Sequence, residues 1–293
     1  MPPTAIAEIV LTEQDWTEAA QRHRARAERF LAAHTGPKPH PVWDFLFTYY
    51  SLRPRQLLRW HPGYGVVLGG AAARDYVERT GYTGHPAGAT VSAAWLHARL
   101  GTVRFILDLL RRTAARPPAH NCFGLHEWAM VYRPDAAIRH GGVPLRLGQD
   151  GTDAVVESMP LRCSHYDAFR FFTADARPKN AVELSRETQA ANEQPGCLHA
   201  AMDTYKWTFK LLPLTDSDLL LDCLELAADA RELDMRASPY DLAEYGFAPI
   251  RIEDPAGRAE YVRAQAEITR RAAPLRDALI RRCELLVSAA EPA

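Results

Sequence analysis

Apolar residues recur every three or four positions along most of this chain, the spacing that places them on one face of an α-helix. The clearest case is the segment Ser217–Arg236. Its apolar side is formed by Leu219, Leu220, Cys223, Leu226, Ala227 and Ala230. Another helix is predicted from the acidic turn after Thr12 to about Ala33, because Thr12 is a suitable N-cap. The pattern therefore predicts a mainly α-helical protein.

Two more long helices are predicted from the same periodicity. One runs from about Thr90 to Arg112. The other begins at Asp254, because an N-cap aspartate followed by proline at the first helical position is a strong helix start. Pro274 lies inside this second segment and is predicted either to kink the helix or to begin a final one.

The region 143–157 departs from the helical pattern. Two short extended runs flank the turn residues Gly148–Gly151, an arrangement typical of a β-hairpin. The glycine-rich segment Gly81–Gly88, by contrast, is predicted to be a loop. The sequence therefore predicts a single, predominantly helical domain over residues 1–293, with a small β-hairpin excursion near 143–157.

Composition and charge exclude several classes of protein. Hydrophobic residues make up 47% and charged residues 24%, as in globular proteins. The formal net charge is -1, whereas dedicated nucleic-acid-binding proteins usually carry a strong basic excess, so DNA binding would need a local basic patch. No signal peptide and no membrane span are expected. The five cysteines form no CxxC pair, which favours a cytoplasmic protein with reduced thiols.

The segment Glu183–Leu212 is the richest in candidate chemistry. It is predicted to form a helix to about Asn192, a break at Pro195-Gly196, and a second helix from Cys197 onward. A polar stripe on the second helix consists of His199, Asp203, Lys206 and Lys210. With Glu193 just upstream, this stripe is either an acid/base site or a solvated helix face with ordinary Asp–Lys pairing.

Three segments place a histidine beside a carboxylate and near aromatic side chains. They are His126-Glu127-Trp128, His165-Tyr166-Asp167 with Phe169 and Arg170 after it, and the His199/Asp203 pair. These residue types suit a pocket that stacks a flat ring and moves a proton. Each segment alone also fits a core histidine that hydrogen-bonds to a neighbour. Only their convergence on one cavity would make them a site.

The same residues also permit a metal site. His199 and Asp203 have the i, i+4 spacing that places two ligands on one helical face, as do Cys122 and His126 if their segment is helical. The zinc-protease motif HExxH is absent, because Met130 stands where its second histidine would be. A haem with one histidine ligand has no distinctive motif. The sequence therefore does not identify a cofactor.

The sequence resembles a family of actinobacterial proteins described as 3-methyladenine DNA glycosylases. The segments that carry the resemblance are HPVWDFLFTYYSLRPRQLLRWHPGYG, FGLHEWAMVYR, SHYDAFRFFT and EQPGCLHAAMDTYKW. Gln194-Pro195-Gly196 is similar to the turn of the helix-hairpin-helix in all-α alkyladenine glycosylases, and Asp216 or Asp218 follows at about the distance of their aspartate. Leu198 stands where that motif has its second glycine. The resemblance implies an enzyme that removes an alkylated purine from DNA.

The leading hypothesis is therefore an N-glycosylase that excises an alkylated purine. Asp203 or Glu193 would orient the attacking water, and His199 would adjust its reactivity. The residues predicted to hold the flipped base are Trp43, Tyr50, His126, Trp128, His165, Phe169 and Arg170. The alternative is an all-α metal- or haem-dependent oxygenase of a small aromatic substrate, with His126, His165 or His199 as a ligand. A third hypothesis is a non-catalytic protein that binds a small aromatic ligand.

Overall fold

The structure, a computed structural model, describes residues 8–134 and 142–291. The α-helices in this part of the chain are α1 (Glu13–His34), α2 (Asp44–Thr48), α3 (Pro54–Leu57), α4 (Arg74–Val77), α5 (Ala93–Ala114), α6 (Leu125–Ala129), α7 (Gly148–Ser158), α8 (Tyr166–Phe169), α9 (Gln189–Asn192), α10 (Leu198–Lys210), α11 (Ser217–Arg236) and α12 (Pro255–Ala290). The strands are β1 (Ile9–Leu11), β2 (Val66–Gly69), β3 (Tyr82–His85) and β4 (Gly88–Val91). The predicted mainly α fold with a small β portion is confirmed.

Two long helices, α1 and α11, begin with a side-chain cap at their predicted starts, whereas α5 begins after the predicted start near Thr90, which lies in β4. The Thr12 hydroxyl accepts a hydrogen bond from the Asp15 amide at 3.2 Å and starts α1. Asp216 caps α11 by accepting from the Leu219 amide at 2.9 Å. Each cap satisfies a backbone N–H that has no partner within the helix. The predicted bounds of α11 agree with the structure.

α12 continues through Pro274 as one helix, so this proline neither ends α12 nor begins a new one. An interior proline removes a backbone hydrogen bond and costs about 3 kcal/mol. Packing against α5 and α11 along the length of α12 offsets that cost. The tertiary contacts therefore decide the outcome that the sequence left open.

The strands form one sheet in the order β1-β2-β4-β3. β1 is parallel to β2, whereas β4 is antiparallel to both β2 and β3. The hairpin β3–β4 covers Gly81–Gly88, so the prediction of a loop there is wrong. Tyr82 and Val91 pair across this hairpin and are both buried, which holds it on the core despite its glycines. Gly88 has φ +152°, and a Cβ there would collide with the Leu68 carbonyl.

The β-hairpin predicted near 143–157 is also wrong, because Gly148–Ser158 forms α7. Thr152, Val155 and Val156 are its buried residues, and their i, i+3, i+4 spacing turns one face of the helix toward α6. Gly148 has φ +64° at the first helical position. Gly148 therefore begins a helix rather than forming the turn of a hairpin.

The core of the molecule is built around α10, which packs against α11 and α12, while α12 also packs against α5. Every residue from Leu198 to Thr208 is buried. The helix predicted upstream, from Glu183 to Asn192, is reduced to the single turn α9. Consequently α10 is enclosed on all sides, and its polar residues must find partners inside the protein.

None of the five cysteines forms a disulfide. In the described residues, no helix combines the length and the apolar character that a membrane crossing requires.

Candidate functional site

Three histidines from distant parts of the chain meet in the core beside α10. His126 lies on α6, His165 directly precedes α8, and His199 lies in the first turn of α10. The His199 ring makes an edge contact with His126, with ring centroids 4.5 Å apart, and stacks on His165 at 5.3 Å. All three residues are at most 6% exposed. The structure thus brings together the three histidine–carboxylate segments of the sequence.

The first triad consists of His126, His199 and Asp234, a residue of α11. Nε2 of His126 lies 2.7 Å from Oδ1 of Asp234. One potential ligand atom from each of the three residues lies within 4.8 Å of the other two. Nδ1 of His199 is buried and has no hydrogen-bond partner among the described residues. Two imidazoles and a carboxylate therefore converge while one imidazole is still unsatisfied.

The second triad consists of His165, Glu193 and Asp203. Nδ1 of His165 lies 3.1 Å from Oε1 of Glu193, and its Nε2 lies 3.6 Å from Oδ2 of Asp203. Potential ligand atoms of this triad also lie within 4.8 Å of one another. Glu193 is held in place by Gln189, whose Nε2 donates to Oε1 at 2.6 Å. Because His165 stacks on His199, the two triads occupy one continuous region.

Lys206 of α10 pairs with Asp203 of the second triad and with Asp167. Its Nζ donates to Oδ2 of Asp203 at 2.8 Å and to Oδ2 of Asp167 at 2.7 Å. Lys206 and Asp203 do pair, but they are only 8% and 1% exposed. The interpretation of this stripe as a solvated helix face is therefore wrong. Only Lys210, in the last turn of α10, is exposed.

Sequence reasoning misses Arg231 and Asp234, two residues of α11 that complete the first triad and its surroundings. Nη1 of Arg231 donates to Oε1 of Glu127 at 2.9 Å and lies 3.3 Å from Oδ2 of Asp234. The sequence does contain a signal for both residues. Arg231 lies four positions after Ala227, and Asp234 four positions after Ala230, so both fall on the apolar side of α11. Charged residues at core-facing helical positions are candidates for a buried site.

Burial and neighbouring charges divide the histidines into two kinds. Burial opposes protonation of His126 and His165, but the neighbouring carboxylates outweigh it and raise the pKa of each histidine: Asp234 acts on His126, and Glu193 together with Asp203 acts on His165. Burial, reinforced by the charge on His126, lowers the pKa of His199 well below its ordinary value. His199 is therefore neutral near pH 7, and a neutral imidazole has a lone pair available for a ligand.

A small chamber adjoins His199 and is called here the inner chamber. It has a volume of about 20 Å³, and His199, Arg231 and Phe45 are among its lining residues. This is room for about one water molecule. Nη2 of Arg231 is buried without a hydrogen-bond partner in the described residues. The walls of the chamber thus include one neutral imidazole and one guanidinium with a free N–H donor.

A wider outer pocket, of about 720 Å³, lies next to the inner chamber. Phe45, Tyr49 and Phe171 line both cavities, so these three aromatic side chains form the boundary between them. Arg170 and Tyr245 also line the outer pocket. Its volume lies within the range of about 300–1,000 Å³ that is common for small-ligand sites. The aromatic walls suit a flat ligand, and the polar residues His40, Asp44 and Arg170 in the lining suit polar substituents on it.

Two of the other residues predicted to hold a base do lie near this region. The hydroxyl of Tyr50 donates to Oδ1 of Asp203 at 3.4 Å, so Tyr50 touches the second triad rather than an open pocket. Arg170 lines the outer pocket and forms an ion pair with Asp167 at 3.3 Å. Arg170 is therefore the predicted residue with the most direct access to a ligand there.

The remaining aromatic candidates are placed elsewhere and line neither cavity. Trp128 is fully buried, and its indole N–H donates to the Ala237 carbonyl at 2.8 Å. Phe169 is buried in the core, and Trp43 packs against Phe247. The expectation that Trp43 and Trp128 share a cavity with the histidines is corrected accordingly. Their apolar surface is used for packing, which the sequence pattern does not distinguish from ligand stacking.

The donor set suits a metal ion bound by nitrogen and oxygen. Imidazole and carboxylate ligands are common for iron, zinc and other first-row divalent ions. A porphyrin does not fit beside His199, because the inner chamber measures only about 20 Å³. The non-haem form of the metal hypothesis therefore agrees better with this geometry than the haem form.

Comparisons of the chain with protein-family models, with curated proteins and with solved structures found no match.

Proposed function

We propose that this chain is a metal-dependent oxygenase of a small aromatic substrate, with a divalent metal ion bound by the first triad. The observation that carries the proposal is the convergence of His126, His199 and Asp234, of which His199 also lines the inner chamber. Two histidines and one carboxylate with open coordination positions are typical of non-haem iron oxygenases. The inner chamber has room for about one water-sized ligand at such a position.

The surroundings of the first triad support a bound metal. His126, His199 and Asp234 come from α6, α10 and α11, so the folded core fixes their relative positions. Arg231 contacts the second oxygen of Asp234 at 3.3 Å. Partners of this kind orient ligating carboxylates, and their loss commonly weakens metal binding or activity by about 10- to 100-fold.

The outer pocket supports a small aromatic substrate. Phe45, Tyr49 and Phe171 face both cavities, so a ring held in the outer pocket would lie next to the inner chamber. Arg170, at the rim, has a side chain that is 41% exposed and can pair with a substrate anion. The oxidant in this proposal is dioxygen, and both of its atoms enter the aromatic substrate, so the substrate itself supplies the electrons and no separate reductant is required.

The N-glycosylase suggested by the resemblance stays a prediction, and one feature favours the metal-dependent alternative. The turn at Gly196, where the similar motif would meet a DNA phosphate, is buried. Its N–H donates to Gln194 and its carbonyl accepts from Gln265, each at 2.7 Å. The backbone N–H that a DNA phosphate would need is therefore already paired within the protein.

The test compares metal-free protein with protein loaded anaerobically with Fe²⁺. Bound iron is measured after dialysis, and dioxygen uptake is then followed with a panel of phenols and aromatic carboxylic acids. We expect stoichiometric iron and substrate-dependent uptake, both lost in Asp234→Asn. Asp229→Asn is the matched control, because Asp229 lies on the same helix but its side chain is 51% exposed.

A folded protein that binds no iron would overturn the proposal. Release of 3-methyladenine from alkylated DNA by the metal-free protein would also overturn it and establish the glycosylase instead. Bound iron without dioxygen uptake on any aromatic tested would refute the oxygenase assignment while leaving the metal site intact.

A further inference from the structure

The second triad is not used by a single metal ion at the first triad, and its histidine is incompletely hydrogen-bonded. Nδ1 of His165 is buried and lies 3.1 Å from Oε1 of Glu193, an ion-pair distance, although it makes no well-aligned hydrogen bond in the described part of the protein. On the other side, Nε2 of His165 and Oδ2 of Asp203 are 3.6 Å apart, too far for a hydrogen bond. The His165 ring thus faces two buried carboxylates without a well-aligned hydrogen bond to either.

Basic side chains near the second triad pair with its aspartates and their neighbours rather than with Glu193. Asp167 pairs with Arg170 and Arg186 at the surface, as well as with Lys206. Lys206 also pairs with Asp203. Among the described residues, the Glu193 side chain, which is 2% exposed, forms its ion pair with His165, while the buried Arg276 interacts with it electrostatically at longer range. Glu193 therefore has no lysine or arginine in direct contact, and a bound cation would give this buried carboxylate a second close partner.

The carboxylates of this triad are also oriented by outer partners. Gln189 donates to Oε1 of Glu193 at 2.6 Å, and Lys206 donates to Oδ2 of Asp203 at 2.8 Å. Tyr50 approaches the other Asp203 oxygen at 3.4 Å. Outer hydrogen bonds of this kind are usual around metal-ligating carboxylates, because they fix the direction of the ligand.

We infer that the second triad binds a second divalent metal ion, so that the protein carries a two-metal centre. One potential ligand atom each from His165, Glu193 and Asp203 lies within 4.8 Å of the others. The stacking of His165 on His199, with ring centroids 5.3 Å apart, places this ion next to the first. The inference rests on the proposed function, since it extends the same metal centre. Two adjacent ions present more positive charge to an anionic ligand than one ion does.

The test is the binding of Co²⁺ to the full chain. Metal-free protein is dialysed against Co²⁺, the bound cobalt is counted by elemental analysis, and the ions are located by anomalous diffraction. We expect two cobalt ions per chain, one at each triad. Glu193→Gln should reduce the count to one while the first triad stays occupied. Asp203→Asn should give the same result. Glu187→Gln is the matched control, because Glu187 is exposed near the same segment and should retain two ions.

The outcomes separate the two proposals. One cobalt per chain at the first triad, unchanged by Glu193→Gln, would overturn the second site and leave the proposed function standing. No bound cobalt would remove both. Two ions in the wild type with the second located elsewhere would also overturn the inference. The anomalous map of the wild type needs no variant, so the result does not depend on whether Glu193→Gln folds.

Discussion

Two pairs of helices in this bundle use the same apolar periodicity for different purposes. Between α5 and α12, the buried residues include Val103, Ile106 and Leu279, and the charged pair Arg111–Glu284 stays at the surface. Between α10 and α11, the buried residues include His199, Asp203, Lys206, Arg231 and Asp234. Burying charges costs several kcal/mol per ion unless they are well paired. Buried ionisable groups of this kind are common at functional sites, so the α10–α11 layer is the candidate for one.

The largest difference between the two helix pairs is expected when Arg231, the buried cation of α11, is removed. Arg231→Ala leaves Glu127 and Asp234 without their guanidinium partner. Removing one partner of a buried ion pair costs about 3–5 kcal/mol. We therefore expect the free energy of unfolding of the metal-free protein to fall by that amount in urea titration. A loss within about 1 kcal/mol, as for a surface pair, would show that the two layers do not differ energetically.

The next effect concerns activity rather than folding. Asp234→Asn keeps the size of the side chain but removes the negative charge of the proposed ligand. The asparagine can still contact Nε2 of His126. Because even outer partners of a metal ligand contribute about 10- to 100-fold, we expect at least about a hundredfold loss of turnover, or about 2.7 kcal/mol. The measurement is steady-state dioxygen uptake with iron-loaded enzyme. Unchanged turnover would show that the charge of Asp234 is not needed for activity and that the first triad has a structural role.

A third test uses a histidine outside the charged layer. His61 lies beside Tyr82, with Nδ1 2.9 Å from the tyrosine hydroxyl. Burial, reinforced by Arg79, lowers the pKa of His61 to about 4, whereas Asp234 raises that of His126. An unfolded histidine titrates near about 6.5, so the unfolded state binds more protons between these values. Stability therefore rises with pH across this window and falls as the pH is lowered through it.

The expected size of this effect is about 2 kcal/mol between pH 7 and pH 4.5. It is measured as the difference between wild type and His61→Gln in urea titrations at the two pH values. The glutamine variant removes the titrating group, while the carboxylates of the site titrate in both proteins and cancel. Equal pH dependence in the two proteins would contradict the assigned pKa of His61.

The sequence predicts the long helices well because their signals are local. Thr12 and Asp216 cap their own helices, and the period of the apolar residues fixes the buried faces. The two hairpin errors come from glycines: Gly148 opens a helix, whereas the glycines of 81–88 are accommodated in a real hairpin. In each case packing against distant elements outweighs the local preference.

The candidate site is less accessible to sequence reasoning because its contacts are long-range. His126 and Asp234 are 108 residues apart, and only the folded core brings them together. His199 and Asp203 were identified from spacing, yet the structure assigns them to different triads. A helical wheel shows which residues share a face, but it does not show which partner approaches from a neighbouring helix.

The smallest expected effect completes the comparison at the α5–α12 contact. Nη2 of Arg111 donates to Oε1 of Glu284 at 2.7 Å, close to the geometry of the buried pairs. The side chains are 57% and 41% exposed, so water already solvates both charges and the pair gains little from forming. We expect Arg111→Ala to change the free energy of unfolding by less than about 1 kcal/mol. Urea titration in low and high salt measures it, since screening weakens what remains. A loss as large as that of Arg231→Ala would mean that burial does not set the energy of these pairs, and the contrast between the two layers would no longer hold.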